Sequence, residues 1–213
     1  MLLAAELSEG PAAGPDRRLN TSAKRLLRGG GMRGKLGKSN AIDTVKLPDK
    51  RRRNHPVANL EAAIRIAVAA HDGQKDKQGL PYILHPLRVM LDVSGEQAQI
   101  VAVLHDVVED TKVTFGDLCN EGFSDAILTA IELVTHDKAT PYADYVVRCK
   151  QDPIARQVKL ADLRDNSSLS RLLLRPTRFE GDSARMHRYV LSYRYLLNEI
   201  DELEYRQLMA RFE

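Results

Sequence analysis

One stretch constrains this chain more than any other: VAVLHDVVEDT, Val101 to Thr111, an apolar helical run that ends in His105, Asp106, Glu109 and Asp110. On a helix His105 and Glu109 are i and i+4, as are Asp106 and Asp110, so the four side chains cover one patch about one turn long. The patch carries three carboxylates at the end of its own helix, where unpaired carbonyls already present partial negative charge. That arrangement is unfavourable unless a cation is held there. A multivalent metal supplies the cation, and His beside Asp offers it one imidazole and one carboxylate. A solvated acidic helix end with a buried, hydrogen-bonded histidine fits the same letters and is the better reading of this stretch by itself; two further stretches change the balance.

The chain has 213 residues, 43% hydrophobic and 29% charged, which is enough for one globular domain with a proper core. Its net charge of +3 hides an asymmetry. Residues 1 to 56 hold thirteen Lys and Arg against five Asp and Glu, or +8, which leaves −5 for the rest. The positive charge belongs to the amino-terminal stretch, and the body offers no groove for a nucleic-acid backbone, so no specific nucleic-acid partner is expected. Cys119 and Cys149 lack CxxC spacing and a nearby histidine pair, which argues against a zinc clamp or disulfide framework and for buried thiols. No apolar run approaches the roughly eighteen residues of a membrane span, and MLLAA is too short for a signal-peptide core. A soluble, cytoplasmic protein of a reducing compartment is expected, without a membrane partner.

Residues 1–55 are rich in Gly, Ser, Pro and basic residues, and read as a disordered basic arm in front of a domain at 56–213. From Pro56 onward the pattern is helical. Asn59 caps a helix through His71; a charged loop covers residues 72 to 81; and Pro86 suits the first turn of a second helix. A third runs from Glu96 to Val108, apolar on nearly every face, as the buried centre of a bundle is. Helices follow at Thr114–Asn120, Ser124–Val134, Thr140–Lys150 and Asp152–Asp165, with a further turn at Leu169–Leu174. RPTRFEGDS, residues 175 to 183, reads as an exposed loop, and Ala184–Phe212 as one long amphipathic helix. No strand-like alternation lasts over five residues. The expected fold is all-α, a compact bundle of about eight helices.

Two further stretches bear on the metal question. PYILHPLRVM sets His85 at the start of the second helix, where a cap or a packed core histidine is the ordinary reading. VKLADLRDN sets Asp162 among Leu160, Ala161 and Leu163, a place where a carboxylate needs a partner. That partner is either Lys159 or Arg164 in a local salt bridge, or a metal shared with His85, His105 and Asp106. Two imidazoles and two carboxylates form a mixed N/O set suited to Mn²⁺, Fe²⁺, Co²⁺ or Zn²⁺.

The three motifs HDGQKDKQGLPYILHPLRV (71 to 89), LHDVVEDT (104 to 111) and VKLADLRDN (158 to 166) together make the chain resemble the HD-superfamily metal-dependent phosphohydrolases. Within that superfamily it is similar to the hydrolase domain of the Rel/SpoT alarmone enzymes and to the stand-alone small alarmone hydrolases, over roughly residues 57 to 200. The resemblance implies an HD-domain helical bundle in which His85, His105, Asp106 and Asp162 bind Mn²⁺, with another divalent metal as the substitute. It implies that Glu109 and Asp110 position and activate the water and that Asn166 contacts the nucleoside. Lys75, Lys77 and Arg88 flank the site in sequence and are candidates for holding phosphates, whereas His71 and His136 read as structural.

The implied activity is removal of pyrophosphate from the 3′ position of (p)ppGpp to leave GDP or GTP. The same chemistry on an adenine alarmone or NADPH is the alternative, and a catalytically silent nucleotide-binding module is the alternative of another class. Two departures matter. Asp76 stands where many long relatives carry an arginine that stacks on guanine, and Asp165 stands where many have His or Tyr before the final Asn. No synthetase region follows the bundle, so alarmone synthesis is not expected.

Overall fold

The computed structural model describes residues 58–171 and 176–212. The basic arm read at residues 1–55 lies outside them, as does the second half of the turn read at Leu169–Leu174. Ten α-helices run in chain order among the described residues: α1 Leu60–Ala70, α2 Leu84–Leu91, α3 Glu96–Leu104, α4 Val107–Asp110, α5 Phe115–Glu121, α6 Asp125–Val134, α7 Tyr142–Cys149, α8 Pro153–Ser167, α9 Phe179–Leu196 and α10 Glu202–Met209. Their only β feature is an isolated bridge between Lys75 and Pro81 in the loop after α1. The all-α class read from the sequence is the one observed.

Half of the starts follow from side-chain caps. Asn59, Ser124, Asp152 and Asp201 each accept from a backbone N–H in the first turn of the helix they precede, and Thr114 with Asp117 forms a capping box. Pro153 opens α8 at a position where no N–H is needed. α3 is the hub: Ala98 and every residue from Ile100 to Leu104 are buried, and α1, α2, α6 and α8 all pack on it. Burial of one such Leu or Val stabilises by about 1.5–3 kcal/mol, which fixes α3 in the middle.

Two core clusters result. The larger joins α1, α2, α3, α5, α6 and the first half of α8 through residues such as Ala63, Val89, Val101, Leu104, Ile131 and Val158. The smaller joins α7, α9 and α10 through Tyr145, Cys149, Tyr195, Leu196, Tyr205 and Met209, with Leu163 of α8 completing it. α8 therefore faces both, Ala155, Val158 and Ala161 one way and Leu163 the other.

Three boundaries differ from the sequence reading. The run Glu96–Val108 is not one helix: it stops at Leu104, turns at His105 and Asp106, and resumes at Val107. Residues 176–183 are not a loop but a short 3₁₀ turn, Pro176–Arg178, leading straight into α9, whose first turn holds Glu180 and Asp182 near the N–H-rich end. Ala184–Phe212 is two helices, because Asn198 takes a left-handed conformation (φ 63°) and Asp201 then caps α10 through the Glu204 N–H at 2.8 Å. Among the described residues no helix is long and apolar enough to cross a membrane.

Candidate active site

His105 and Asp106 form the turn between α3 and α4, and both side chains meet His85 from α2 and Asp162 from α8. His105 Nε2 is 3.1 Å from Asp106 Oδ2 and 3.8 Å from Asp162 Oδ1. His85 Nε2 is 3.5 Å from Asp106 Oδ2 and 3.3 Å from Asp162 Oδ1. Ligands at about 2.0–2.2 Å around one ion stand roughly 3–4 Å from each other, so these separations suit a shared cation. His85, His105 and Asp162 also bring one ligand atom each within 4.8 Å of the others.

The hydrogen bonds behind the imidazoles say which nitrogen faces the centre. His105 Nδ1 is 2.7 Å from the Ala102 carbonyl, which can only accept, so Nδ1 carries the proton and Nε2 offers its lone pair. That Nε2 is buried without a hydrogen-bond partner. A buried, orphaned imidazole nitrogen aimed at two carboxylates is what a metal ligand looks like before its ion is added. The residues present thus fit a divalent metal.

Asp162 serves both readings drawn from the sequence. Its Oδ2 takes a hydrogen bond from Lys159 Nζ at 2.7 Å, while Oδ1 faces the imidazoles and accepts from Asn166 Nδ2 at 2.5 Å. Arg164, the other local partner considered, pairs with Asp92 instead. Burial opposes ionisation of Asp162, but the Lys159 ammonium and the two imidazoles hold its carboxyl well below the usual range. Burial likewise opposes the charge on Lys159, and Asp162 keeps it protonated. Asp106 is held low against its burial, chiefly by His105. Lys159 is thus the buried cation that balances part of the charge of the cluster.

A cavity of about 430 Å³ opens over this cluster, a size that suits a small ligand. Glu109 and Asp110 lie on its wall with Lys75, Lys77 and Asn166. Glu109 Oε2 accepts from the His136 backbone N–H at 3.0 Å. Partial burial, with the nearby Asp106 and Asp110 charges, raises the Glu109 carboxyl above its ordinary value despite that hydrogen bond. Arg88 is not on the cavity wall. It sits behind His85, with Nε 2.6 Å from Asp165 Oδ1.

No family model matches the chain. It is 35% identical over 120 residues to the guanosine-3′,5′-bis(diphosphate) 3′-pyrophosphohydrolase MESH1 of Danio rerio, a match covering 49% of this chain and 65% of that protein. It is 32% identical over 119 residues to the guanosine-3′,5′-bis(diphosphate) 3′-pyrophosphohydrolase of Aquifex aeolicus, covering 50% of this chain and 17% of the relative. A GTP pyrophosphokinase of Streptomyces coelicolor is 34% identical over 160 residues, covering 68% of this chain and 19% of the relative. The solved structure of a metazoan ortholog of SpoT that hydrolyzes ppGpp shares the fold, with a TM-score of 0.51 at 21% identity over 75% of this chain and 98% of that one.

The chain is thus similar in sequence to Rel/SpoT-like 3′-pyrophosphohydrolases and shares the fold of the metazoan SpoT ortholog. It spans under a fifth of the long Aquifex and Streptomyces relatives and 65% of the fish protein.

The structure also brings forward residues that sequence reasoning did not assign. Tyr82 donates to Asp106 Oδ2 at 2.6 Å, with Asp110 Oδ2 3.2 Å away, and so links the His-Asp turn to the wall carboxylate. Lys159, read only as a salt-bridge partner, lines the cavity with its Nζ 4.9 Å from the centre of the Tyr145 ring. α9 adds Arg185, Met186 and Tyr189 to the wall. A lone tyrosine or arginine carries no periodic signal that separates cavity wall from core or surface. Asp76 accepts from the Gln78 and Leu80 N–H groups at 2.9 and 3.0 Å, so it shapes its own loop. His71 Nδ1 meets Gln74 Oε1 at 2.8 Å, and His136 Nε2 meets the Thr140 carbonyl at 2.9 Å.

Proposed function

We propose that the chain is a Mn²⁺-dependent hydrolase that removes pyrophosphate from the 3′ position of (p)ppGpp and leaves GDP or GTP. The observation that carries this reading is the meeting of His85, His105, Asp106 and Asp162 at one point on the floor of a cavity whose wall holds Glu109 and Asp110. When bound, the cation polarises a phosphoryl oxygen and lowers the pKa of adjacent water. The chain's own residues do the rest. Glu109, its carboxyl raised and its orientation set by the His136 N–H, takes the proton of the attacking water. Asp110 shares the Tyr82 hydroxyl with Asp106 and orients that water. Lys75, Lys77 and Arg185 on the wall meet the phosphates, and Asn166 the nucleoside.

A second reading has support from one residue. Asp76 occupies the loop position where an arginine would stack on guanine, and its carboxylate is used in turning that loop. The same chemistry on an adenine alarmone or on the 2′-phosphate of NADPH follows if guanine selection depends on that contact. Assay of the Mn²⁺-supplemented chain across guanine and adenine nucleotides separates them. Pyrophosphate release from ppGpp is expected, phosphate release from NADPH would favour the second reading, and turnover equal to a metal-free control would leave a silent binding module.

A further inference from the structure

His85 differs from His105 in what stands behind it. His105 rests on a neutral carbonyl, whereas His85 Nδ1 lies 2.6 Å from Asp165 Oδ2, a carboxylate one turn along α8 from Asp162. Asp165 is itself gripped. Arg88 on α2 reaches it with Nε at 2.6 Å and Nη2 at 3.1 Å, and Arg171 donates to the same Oδ2 that faces the imidazole. Asp165 is largely withdrawn from solvent, with a side chain 12% exposed, and Arg171 is similarly covered at 14%. Three groups from three places in the chain, Arg88, Asp165 and Arg171, therefore converge behind one ring, and of these only Arg171 lines the cavity.

We propose that Asp165 is a positioning residue that fixes the tautomer and ring plane of His85, so that Nε2 presents its lone pair to a metal shared with His105, Asp106 and Asp162. A carboxylate between two guanidiniums is an acceptor only, and a guanidinium is a donor only. The pair Asp165–His85 is therefore satisfied when Nδ1 carries the proton, which leaves Nε2 free toward the centre. Arg171 Nη1 also lies 2.7 Å from Nδ1. If it donated there, Nδ1 would be bare beside a carboxylate, two acceptors in contact at 2.6 Å, and Nε2–H would point at Asp106 and Asp162. The Asp165 assignment avoids that contact between acceptors; it leaves Nδ1–H and Arg171 Nη1 as two donors 2.7 Å apart, each giving its hydrogen to Asp165 Oδ2. Arg88 and Arg171 then act as clamps on the orienting group.

The inference rests on the metal reading proposed above, and the test keeps the two apart. The metal-stripped full chain is titrated calorimetrically with Mn²⁺, beside Asp165→Ala, Asp165→Asn and Arg171→Ala. The wild-type chain binds, and Asp165→Ala binds on the order of 10- to 100-fold more weakly. Asp165→Asn, whose amide oxygen still accepts from Nδ1–H, recovers much of that loss and also serves if the alanine variant fails to fold. Arg171→Ala changes affinity by less than Asp165→Ala. In the Zn²⁺-loaded chain, NMR shows a hydrogen-bonded Nδ1–H proton on His85 that shifts or disappears in Asp165→Ala, a signature that loss of packing alone does not produce. Wild-type affinity in Asp165→Ala with an unmoved Nδ1–H resonance overturns the proposal, and so does a tenfold gain in Arg171→Ala, which would make Arg171 the group on Nδ1. Failure of the wild-type chain to bind either ion strikes the metal reading itself.

Discussion

Glu109 and Cys149 show how surroundings set what a side chain can do. Glu109 sits one helical turn from Asp106, accepts one backbone N–H and is raised by partial burial and two neighbouring carboxylates. It contributes nothing to the four-residue cluster. Glu109→Gln should therefore leave Mn²⁺ affinity within a few-fold of wild type and lower turnover by about 10²–10⁴. A variant with full rate would remove Glu109 from proton transfer, and one that loses the metal would make it a ligand. Cys149 is fully buried and donates to the Leu133 carbonyl at 3.0 Å. Burial pushes its thiol up to about 11, so almost none is thiolate at neutral pH. Cys119 is only partly covered. A thiol reagent at neutral pH should label Cys119 in the native chain and Cys149 only after unfolding; equal native rates would contradict the packing around α7.

At the level of elements, the caps and the apolar centre were legible in the sequence because they are local. Asn59, Thr114, Ser124 and Asp152 each stand one residue before the helix they start, and α3 announces itself by being apolar on nearly every face. The breaks were not legible. The turn at His105–Asp106 interrupts a pattern that stays apolar on both sides, and Val107 is as buried as Leu104. Only tertiary packing decides that the backbone re-aims there. His85, His105, Asp106 and Asp162 were readable as a set of residue types, whereas the contacts of Tyr82 emerge only when the loop before α2 meets the α3–α4 turn, and those of Asp165 only when α2 meets α8. Asn198 illustrates a break that the residue itself permits. It is exposed and left-handed, so its side chain matters mainly through backbone strain. Asn198→Ala should cost about 1 kcal/mol in urea unfolding and Asn198→Gly much less. Equal losses in both would show that the Asn side chain, not φ, holds the α9–α10 turn.

For the molecule as a whole, the cluster draws together parts of the chain that the Arg88–Asp165 and Arg164–Asp92 pairs also link. His85 comes from α2, His105 and Asp106 from the α3–α4 turn, and Asp162 from α8, the helix that faces both core clusters. An ion bound by all four can be held only in the folded state, so it stabilises folding by mass action, about 2.7 kcal/mol at a free concentration one hundred times the dissociation constant. For a domain of this size that raises the thermal midpoint by roughly 5–10 °C. Asp162→Asn should behave differently in two respects. It removes the counter-charge of buried Lys159, which lowers the metal-free midpoint, since breaking one side of a buried pair costs on the order of 3–5 kcal/mol. It also removes an anionic ligand, so the midpoint of the variant should rise far less on adding Mn²⁺. Calorimetric scans of both chains, with and without Mn²⁺, measure the two effects separately. A wild-type midpoint indifferent to the metal would mean that the four side chains meet without holding an ion. A variant as stable as wild type would mean that Lys159 finds another partner when Asp162 loses its charge.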